Sequence, residues 1–162
     1  MRLVVADTGP LHYLILIGHI GLLPELFETV YVPFEVQDEL SRAETPPEVR
    51  SWIADPPEWS MIVPAAHATD DPALLRLDGG ERAAIVLAAS LKVDAILMDD
   101  RAGVAAARAK GFAVVGTLGI LDAAARRGKV DLAEALSRLR ETTFRRKDEL
   151  FEALLKKHQQ EH

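Results

Sequence analysis

No cysteine occurs among the 162 residues. That absence removes disulfide scaffolds, thiolate-ligated zinc, iron–sulfur clusters and thiol nucleophiles together, and the chain has no need of an oxidising compartment. Long apolar runs are missing as well. The Leu- and Ile-rich stretch Leu11–Phe27 is interrupted by His12, Gly18, His19, Gly21, Pro24 and Glu25, whereas a spanning helix needs about 20 consecutive apolar residues. Arg2 alone is a poor basic flank for a secretion signal, so we expect a cytoplasmic protein without a membrane segment. Phosphate-loop and dinucleotide fingerprints are lacking: there is no GxxxxGK[ST], and Asp7-Thr8-Gly9-Pro10 does not have the GxGxxG spacing. The histidines, His12, His19, His67, His158 and His162, show no HxH or HD pairing and are expected to be structural or solvated.

Basic residues are scarce where acids are common. Between Leu3 and Ser41 there is no Lys or Arg. The net charge of −6 argues at first against nucleic acid, because phosphate binding carries a basic footprint. The average conceals a division: residues 1–100 hold 6 Lys/Arg against 17 Asp/Glu, a net of −11, and residues 101–162 hold 13 against 8, a net of +5. A composition of 49% hydrophobic and 27% charged residues suits one folded domain that buries its core without staples.

Short apolar runs alternate with helix-forming stretches. Leu3–Ala6 reads as a buried strand stopped by Asp7-Thr8-Gly9-Pro10, followed by helices over about Leu11–Ile17 and Leu22–Phe27. A second strand covers Val30–Val32, and Pro33 fits the first turn of a helix reaching about Ala43. A helix near Val49–Ala54, a weak strand Ser60–Val63, a polar loop around Thr69–Pro72 and a long Ala-rich helix Gly80–Leu91 come next. The pattern closes with strand Asp94–Met98, helix Arg101–Lys110, strand Ala113–Val115, a helix after Gly116-Thr117, and tail helices near Asp131–Arg140 and Lys147–His158. This alternation predicts a single α/β domain over residues 1–162 with a mostly parallel sheet and a helical extension at about 131–158.

Four positions carry acids that the scaffold alone does not ask for. Asp7 closes the first strand and Asp99-Asp100 the fourth, and in open parallel sheets the chemistry gathers beyond the carboxyl ends of strands. One Asp at such a place is accounted for by helix capping. Two adjacent ones exceed a single cap, and neighbouring carboxylates repel unless a cation lies between them. Helical phase adds two more. With Val36, Leu40 and Ala43 on the apolar face, Glu39 falls about 60° from Val36, Glu35 lies farther off the stripe, and Asp38 points away. Glu81 stands three, four and seven residues before Ala84, Ile85 and Ala88, at the start of the buried face, although a first-turn Glu also complements the helix dipole. An all-oxygen set suits Mg²⁺ or Mn²⁺ far better than zinc, and such ions activate water and stabilise a phosphodiester transition state.

Further candidates are weaker. Thr8 and Thr117 stand where a phosphate or an outer-shell water would bind and equally where a helix would be capped, capping being the expectation. Arg101 offers a phosphate contact or a surface ion pair. Leu150, Phe151, Leu154 and Leu155 among Arg145, Arg146, Lys147, Lys156 and Lys157 describe a basic amphipathic helix that packs on its own domain or a second copy, or touches RNA. A DxDx phosphatase is excluded by Gly9, and a receiver-type acidic pair would end the first strand rather than the fourth.

In order and context these acids resemble the PIN domain. The matching pieces are LVVADTGPLHYLILIG, VPFEVQDEL, LDGGERAAIVLA, AILMDDRAGVAAARAKGFAVVGTLGIL and TFRRKDELFEALLKK, which cover nearly the whole chain. With its GTLG stretch and helical tail the sequence is similar to a prokaryotic, VapC-like subfamily. The resemblance implies a three-layer α/β/α sandwich around a five-stranded parallel sheet, with the first and fourth strands adjacent. It implies that Asp7, Glu39, Glu81 and Asp99 are catalytic, and that with Asp100 they bind Mg²⁺ or Mn²⁺. It further implies cleavage of RNA, the toxin role in a type II toxin–antitoxin pair with a small antitoxin partner, and a homodimer. Asp99 is favoured as the inner ligand, with Asp100 acting through water or capping the next helix. Two departures stand out. Gly9 replaces a small polar residue, and Gly103 and Val104 occupy the region of an additional acid, so the alternative is a catalytically weak scaffold that binds RNA or protein.

Overall fold

The computed structural model describes residues 3–65 and 68–161. Five strands, β1 (Leu3–Ala6), β2 (Thr29–Pro33), β3 (Ser60–Val63), β4 (Ala95–Leu97) and β5 (Val114–Val115), form one sheet in the order β3-β2-β1-β4-β5. Every pairing is parallel, with Val5 opposite Tyr31 on one side and Ile96 on the other. A central parallel strand is covered on both faces, which is why Leu3–Ala6 reads as an unbroken apolar run. Successive side chains leave it on opposite sides. Val4 and Ala6 enter one core with Val30, Val32 and Leu97, while Val5 enters the other with Ile96 and Met98.

Helices cover both faces, as the resemblance implied. One layer holds α1 (Thr8–Leu16), α2 (Leu22–Leu26), α3 (Phe34–Leu40), α4 (Pro47–Ala54), α8 (Thr117–Arg126), α9 (Leu132–Arg140) and α10 (Asp148–Glu161); the other holds α5 (Pro72–Leu75), α6 (Gly79–Leu91) and α7 (Arg101–Ala109). The chain runs β1 to β2 to β3 toward one edge, then crosses to β4 and β5 on the other. The order therefore reverses between β1 and β4, and in such sheets ligands bind outside the carboxyl ends at that point.

Several boundaries differ from the sequence expectation. α1 begins at Thr8 rather than Leu11, because Pro10 is accommodated in its first turn. Pro33 is the last residue of β2 and precedes α3 as its cap position, and α3 ends at Leu40 rather than near Ala43. The loop around Thr69–Pro72 contains a turn of helix, α5, whose start is capped by the Asp71 side chain on the Ala73 N–H. Arg145, Arg146 and Lys147 belong to the turn before α10, not to the helix. α10 packs on this chain through buried Phe151, with Leu154 and Leu155 against the same core. Among the described residues no helix is long and apolar enough to cross a membrane.

Candidate active site

Asp7 leaves the end of β1 and Asp99 and Asp100 the end of β4, side by side because Ala6 pairs with Leu97. Together with Glu39 of α3 and with Asp78 and Glu81 at the start of α6, they border a cleft of about 300 Å³. The sequence reasoning missed Asp78. It caps α6, its Oδ1 accepting from the Glu81 N–H at 2.9 Å, and the signal was present as an Asp three residues before a Glu at a helix start.

The cleft is tight at its base. Gly80 faces it so closely that a Cβ there would sit 3.1 Å from Glu39 Oε2 and 3.2 Å from Asp7 Oδ1. The first turn of α6 thus brings its positive end to two carboxylates. Thr8 Oγ1 donates to Glu39 Oε2 at 2.7 Å and fixes that side chain. Asp7 occupies the cap position of α1 but makes no side-chain capping bond. It is only 5% exposed, and its Oδ1 has no hydrogen-bond partner among the described residues. Capping does not account for it.

These surroundings hold protons on the acids. Burial raises Asp7 from 3.8 to about 7, the charges of Asp78, Glu39 and Asp100 adding to the effect and the Thr8 N–H opposing it. Burial likewise raises Glu81 from 4.5 to about 8, reinforced by Asp78, Asp100 and Asp7 and by a hydrogen bond with the Asp100 side chain. Desolvated carboxylates facing like charges favour the neutral form, and strongly perturbed acids in a cleft mark a functional-site candidate.

The two fourth-strand acids have different surroundings. Asp100 caps α7, its Oδ2 accepting from the Gly103 N–H at 3.1 Å, and it shares the field of Asp7 and Glu81. Asp99 turns toward α8. It accepts from the Thr117 N–H at 2.8 Å and from Thr117 Oγ1 at 2.6 Å, and burial raises its pKa against those bonds and the nearby Arg146. Its carboxylate is wedged between two backbones: a Cβ on Gly9 would lie 2.9 Å from Oδ2, and one on Gly116 2.8 Å from Oδ1. This explains glycine at position 9. Side chains alternate at the end of a strand, so the acid electrostatically coupled to Asp7 and Glu81 is Asp100, which also caps α7 as the sequence reading allowed, while both Asp99 and Asp100 border the cleft.

The expected capping role of the threonines is not what the structure shows. Asp7 and Gly116 hold the cap positions of α1 and α8, and Thr8 and Thr117 are the first helical residues. Thr117 is fully buried with its Oγ1 committed to Asp99, so it orients that carboxylate. Arg101 lies outside the acidic cleft, in a neighbouring groove on the far side of Asp99. An acid at position 103 has no room, because a Cβ on Gly103 would approach Met98 Sδ to 2.6 Å and Glu81 Cγ to 3.3 Å. His67 and His162 lie outside the described residues, although His162 stands four residues after His158.

The turn between α9 and α10 closes the site in a way the sequence did not reveal. Thr143, Phe144, Arg145 and Arg146 line the acidic cleft. Arg146 Nη2 donates to the Asp99 backbone carbonyl at 2.7 Å and lies 4.0 Å from Asp99 Oδ1. Phe144 anchors the turn edge-on between Tyr13 and Phe151.

The donor chemistry fits a hard divalent cation: oxygen ligands only, three of them (Asp7, Glu81 and Asp99) raised above the usual carboxylate range by burial, and one buried oxygen without a partner among the described residues. Among the described residues, however, no three of these groups stand close enough together to hold a metal ion as they are placed. Glu39, Asp78, Asp99 and Asp100 are each drawn to a local donor instead. A family model described as a PIN domain matches residues 3–160. No curated protein and no solved structure matches the chain.

Proposed function

We propose that this chain, which belongs to the PIN-domain family, is a Mg²⁺- or Mn²⁺-dependent endoribonuclease. PIN domains are in general nucleases that use divalent metals, so its reaction class is hydrolysis of a nucleic-acid phosphodiester. The observation that carries the finer reading is the buried carboxylate of Asp7 at the switch point, its Oδ1 without a partner among the described residues and crowded by Glu39, Asp78, Glu81 and Asp100.

Asp7, Glu39, Glu81 and the Asp99-Asp100 pair would hold the cation, which when bound supplies an activated water and charge compensation at the phosphate. Asp7 and Glu81 give up protons to make that site. Thr8 keeps Glu39 aimed at the cleft, and Thr117 keeps Asp99 in one orientation, as partners behind metal ligands do. Residues 1–162 form one domain on this reading, with 131–158 as its helical extension, and the protein acts in the cytoplasm as a homodimer. Its role is that of a toxin held by a small antitoxin.

The test is cleavage of end-labelled RNA with Mn²⁺ and no copurified inhibitor. Wild type is expected to cut at least a hundredfold faster than Asp7→Asn or Glu81→Gln; equal rates would refute the reading. The spread of the acids and the glycine at position 103 favour a second reading, a catalytically weak scaffold that binds RNA or protein. Calorimetry separates the two. Saturable Mn²⁺ binding that depends on Glu39 and Glu81 supports the enzyme, and its absence supports the scaffold. Growth arrest on expression, relieved by the product of an adjacent short gene, would support the toxin role.

A further inference from the structure

On the far side of Asp99 from the acids lies a second groove, of about 420 Å³. One face of α7 forms its wall: Arg101, Val104, Ala105 and Arg108 fall at i, i+3, i+4 and i+7. The half-buried Val114 and Leu118, with Met98 buried behind them, give it an apolar floor, and Arg146 stands where it meets the acidic cleft. Gly116, Gly119 and Phe144 border its other side.

Position and pairing of the cations together set this groove apart. Many of the cations elsewhere in the C-terminal half are ion-paired: Lys110 with Asp71, Arg126 with Asp122 and Glu161, Lys129 with Glu25, Arg138 with Glu134, and Arg140 with Asp148. Arg101 and Arg108 are exposed, and among the described residues neither has a carboxylate within ion-pair distance. They stand about 10 Å apart along the α7 axis. Two uncompensated guanidiniums above an apolar floor, opening onto a site for phosphodiester chemistry, match a nucleotide, with its anionic phosphate and flat apolar base.

The geometry points to a subsite between α7 and α8 that holds the nucleotide flanking the scissile bond of a single-stranded RNA, its phosphate on Arg101 and Arg108 and its base against Val114 and Leu118. This rests on the ribonuclease reading and adds to it the direction of the strand: from the acidic cleft, past Arg146, along α7. The size suits one nucleotide, since small-ligand sites begin at about 300 Å³.

The test uses the full chain carrying Asp7→Asn, so that binding is measured without cleavage, and a fluorescein-labelled RNA of about ten nucleotides in fluorescence anisotropy at several KCl concentrations. Adding Arg101→Ala and Arg108→Ala is expected to weaken binding at least tenfold and to flatten the log–log salt slope by ~0.7, the contribution of the one single-strand phosphate that is no longer neutralised. Adding Lys156→Ala and Lys157→Ala instead removes the same charge from the exposed face of α10 and is expected to change affinity less than threefold. Equal weakening by the two pairs, or weakening by neither, would overturn the subsite. With otherwise wild-type protein and Mn²⁺, the two arginine substitutions are expected to raise KM at least tenfold while kcat stays within threefold. RNA cleavage with KM unmoved would overturn the subsite and leave the nuclease standing. Groove-dependent RNA binding without any Mn²⁺-dependent cleavage would do the reverse.

Discussion

Removing the charge of Asp7 should stabilise the metal-free protein, and the gain should depend on pH. Asp7 titrates near 3.8 when unfolded and at about 7 when folded, burial being the chief cause. The folded state therefore binds this proton more tightly than the unfolded state does. Stability from Asp7 is fully present below pH 3.8 and is lost as pH rises through 7. At ~1.4 kcal/mol per pH unit of difference, the cost reaches about 1.5 kcal/mol at pH 5 and about 4 kcal/mol at pH 8, as an upper bound before local relaxation. Asn has nearly the same shape and no charge to desolvate. In EDTA, the advantage of Asp7→Asn over wild type should widen by about 2–3 kcal/mol between pH 5 and pH 8, a shift in Tm of about 5–10 °C for a chain of this size. Calorimetric or fluorescence melts across that range measure it directly. Mn²⁺ at a hundredfold excess over its Kd should then add about 2.7 kcal/mol to wild type, while Asp7→Asn gains little, so the gap closes. A difference between the two proteins that stays flat with pH in EDTA would show that the carboxylate is compensated, and the electrostatic argument for the site would fail.

Three further outcomes follow from the same geometry. Gly9→Ala puts a methyl group where Asp99 Oδ2 lies 2.9 Å away; RNA cleavage should drop at least tenfold while circular dichroism stays that of wild type. Thr117→Val removes the 2.6 Å bond to Asp99 and should weaken Mn²⁺ binding by ~10–100-fold, the usual cost of losing a partner behind a metal ligand, whereas Thr117→Ser should restore most of it. Apparent Mn²⁺ affinity, followed by calorimetry, should rise from pH 6 to pH 8 as Asp7, at about 7, and Glu81, at about 8, lose their protons; Glu81→Gln should flatten the upper part of that rise.

Most of the architecture was legible because it follows from periodicity. The apolar runs Leu3–Ala6 and Ala95–Leu97 announce strands buried on both faces, and Asp7 and Asp99-Asp100 announce themselves by ending them. Glu39 and Glu81 follow from helical phase, since 100° per residue decides which acids lean inward. What the sequence withheld depends on contacts between distant segments. Arg146 meets Asp99 across 47 residues, and no local pattern encodes that. The threonines were misjudged for a related reason: capping is a local rule, yet Thr8 and Thr117 donate instead to acids that other elements bring up to them. Asp78 is within reach of a local rule, but Glu81 reads as a site residue in its own right and so masks the cap that precedes it. Gly9 is informative only in three dimensions, where the space it leaves is filled by a carboxylate.

The sorted charge now has a spatial counterpart. The acids of the cleft come from β1, α3, α6 and the end of β4, all within residues 1–100, whose net charge is −11. Once the chain passes Asp100 it builds α7, β5, α8 and the α9–α10 turn, and these supply the groove on the other side of Asp99. The change of sign along the sequence thus falls at the point where the fold passes from one wall of the site to the other. That arrangement resolves the objection raised by a net charge of −6. A polyanion is not attracted by the mean charge of a protein but by the potential at the surface it meets, which salt screens over about 10 Å at 0.1 M. Within that distance the unpaired Arg101 and Arg108 count, and the surface ion pairs of α9 and α10 largely cancel. Binding should therefore steepen as salt is lowered in spite of the chain's acidity. Neutralising either groove arginine should cost more than neutralising any paired cation on α9, because an unpaired arginine can neutralise a phosphate, and so release its condensed counterions, without first breaking an ion pair.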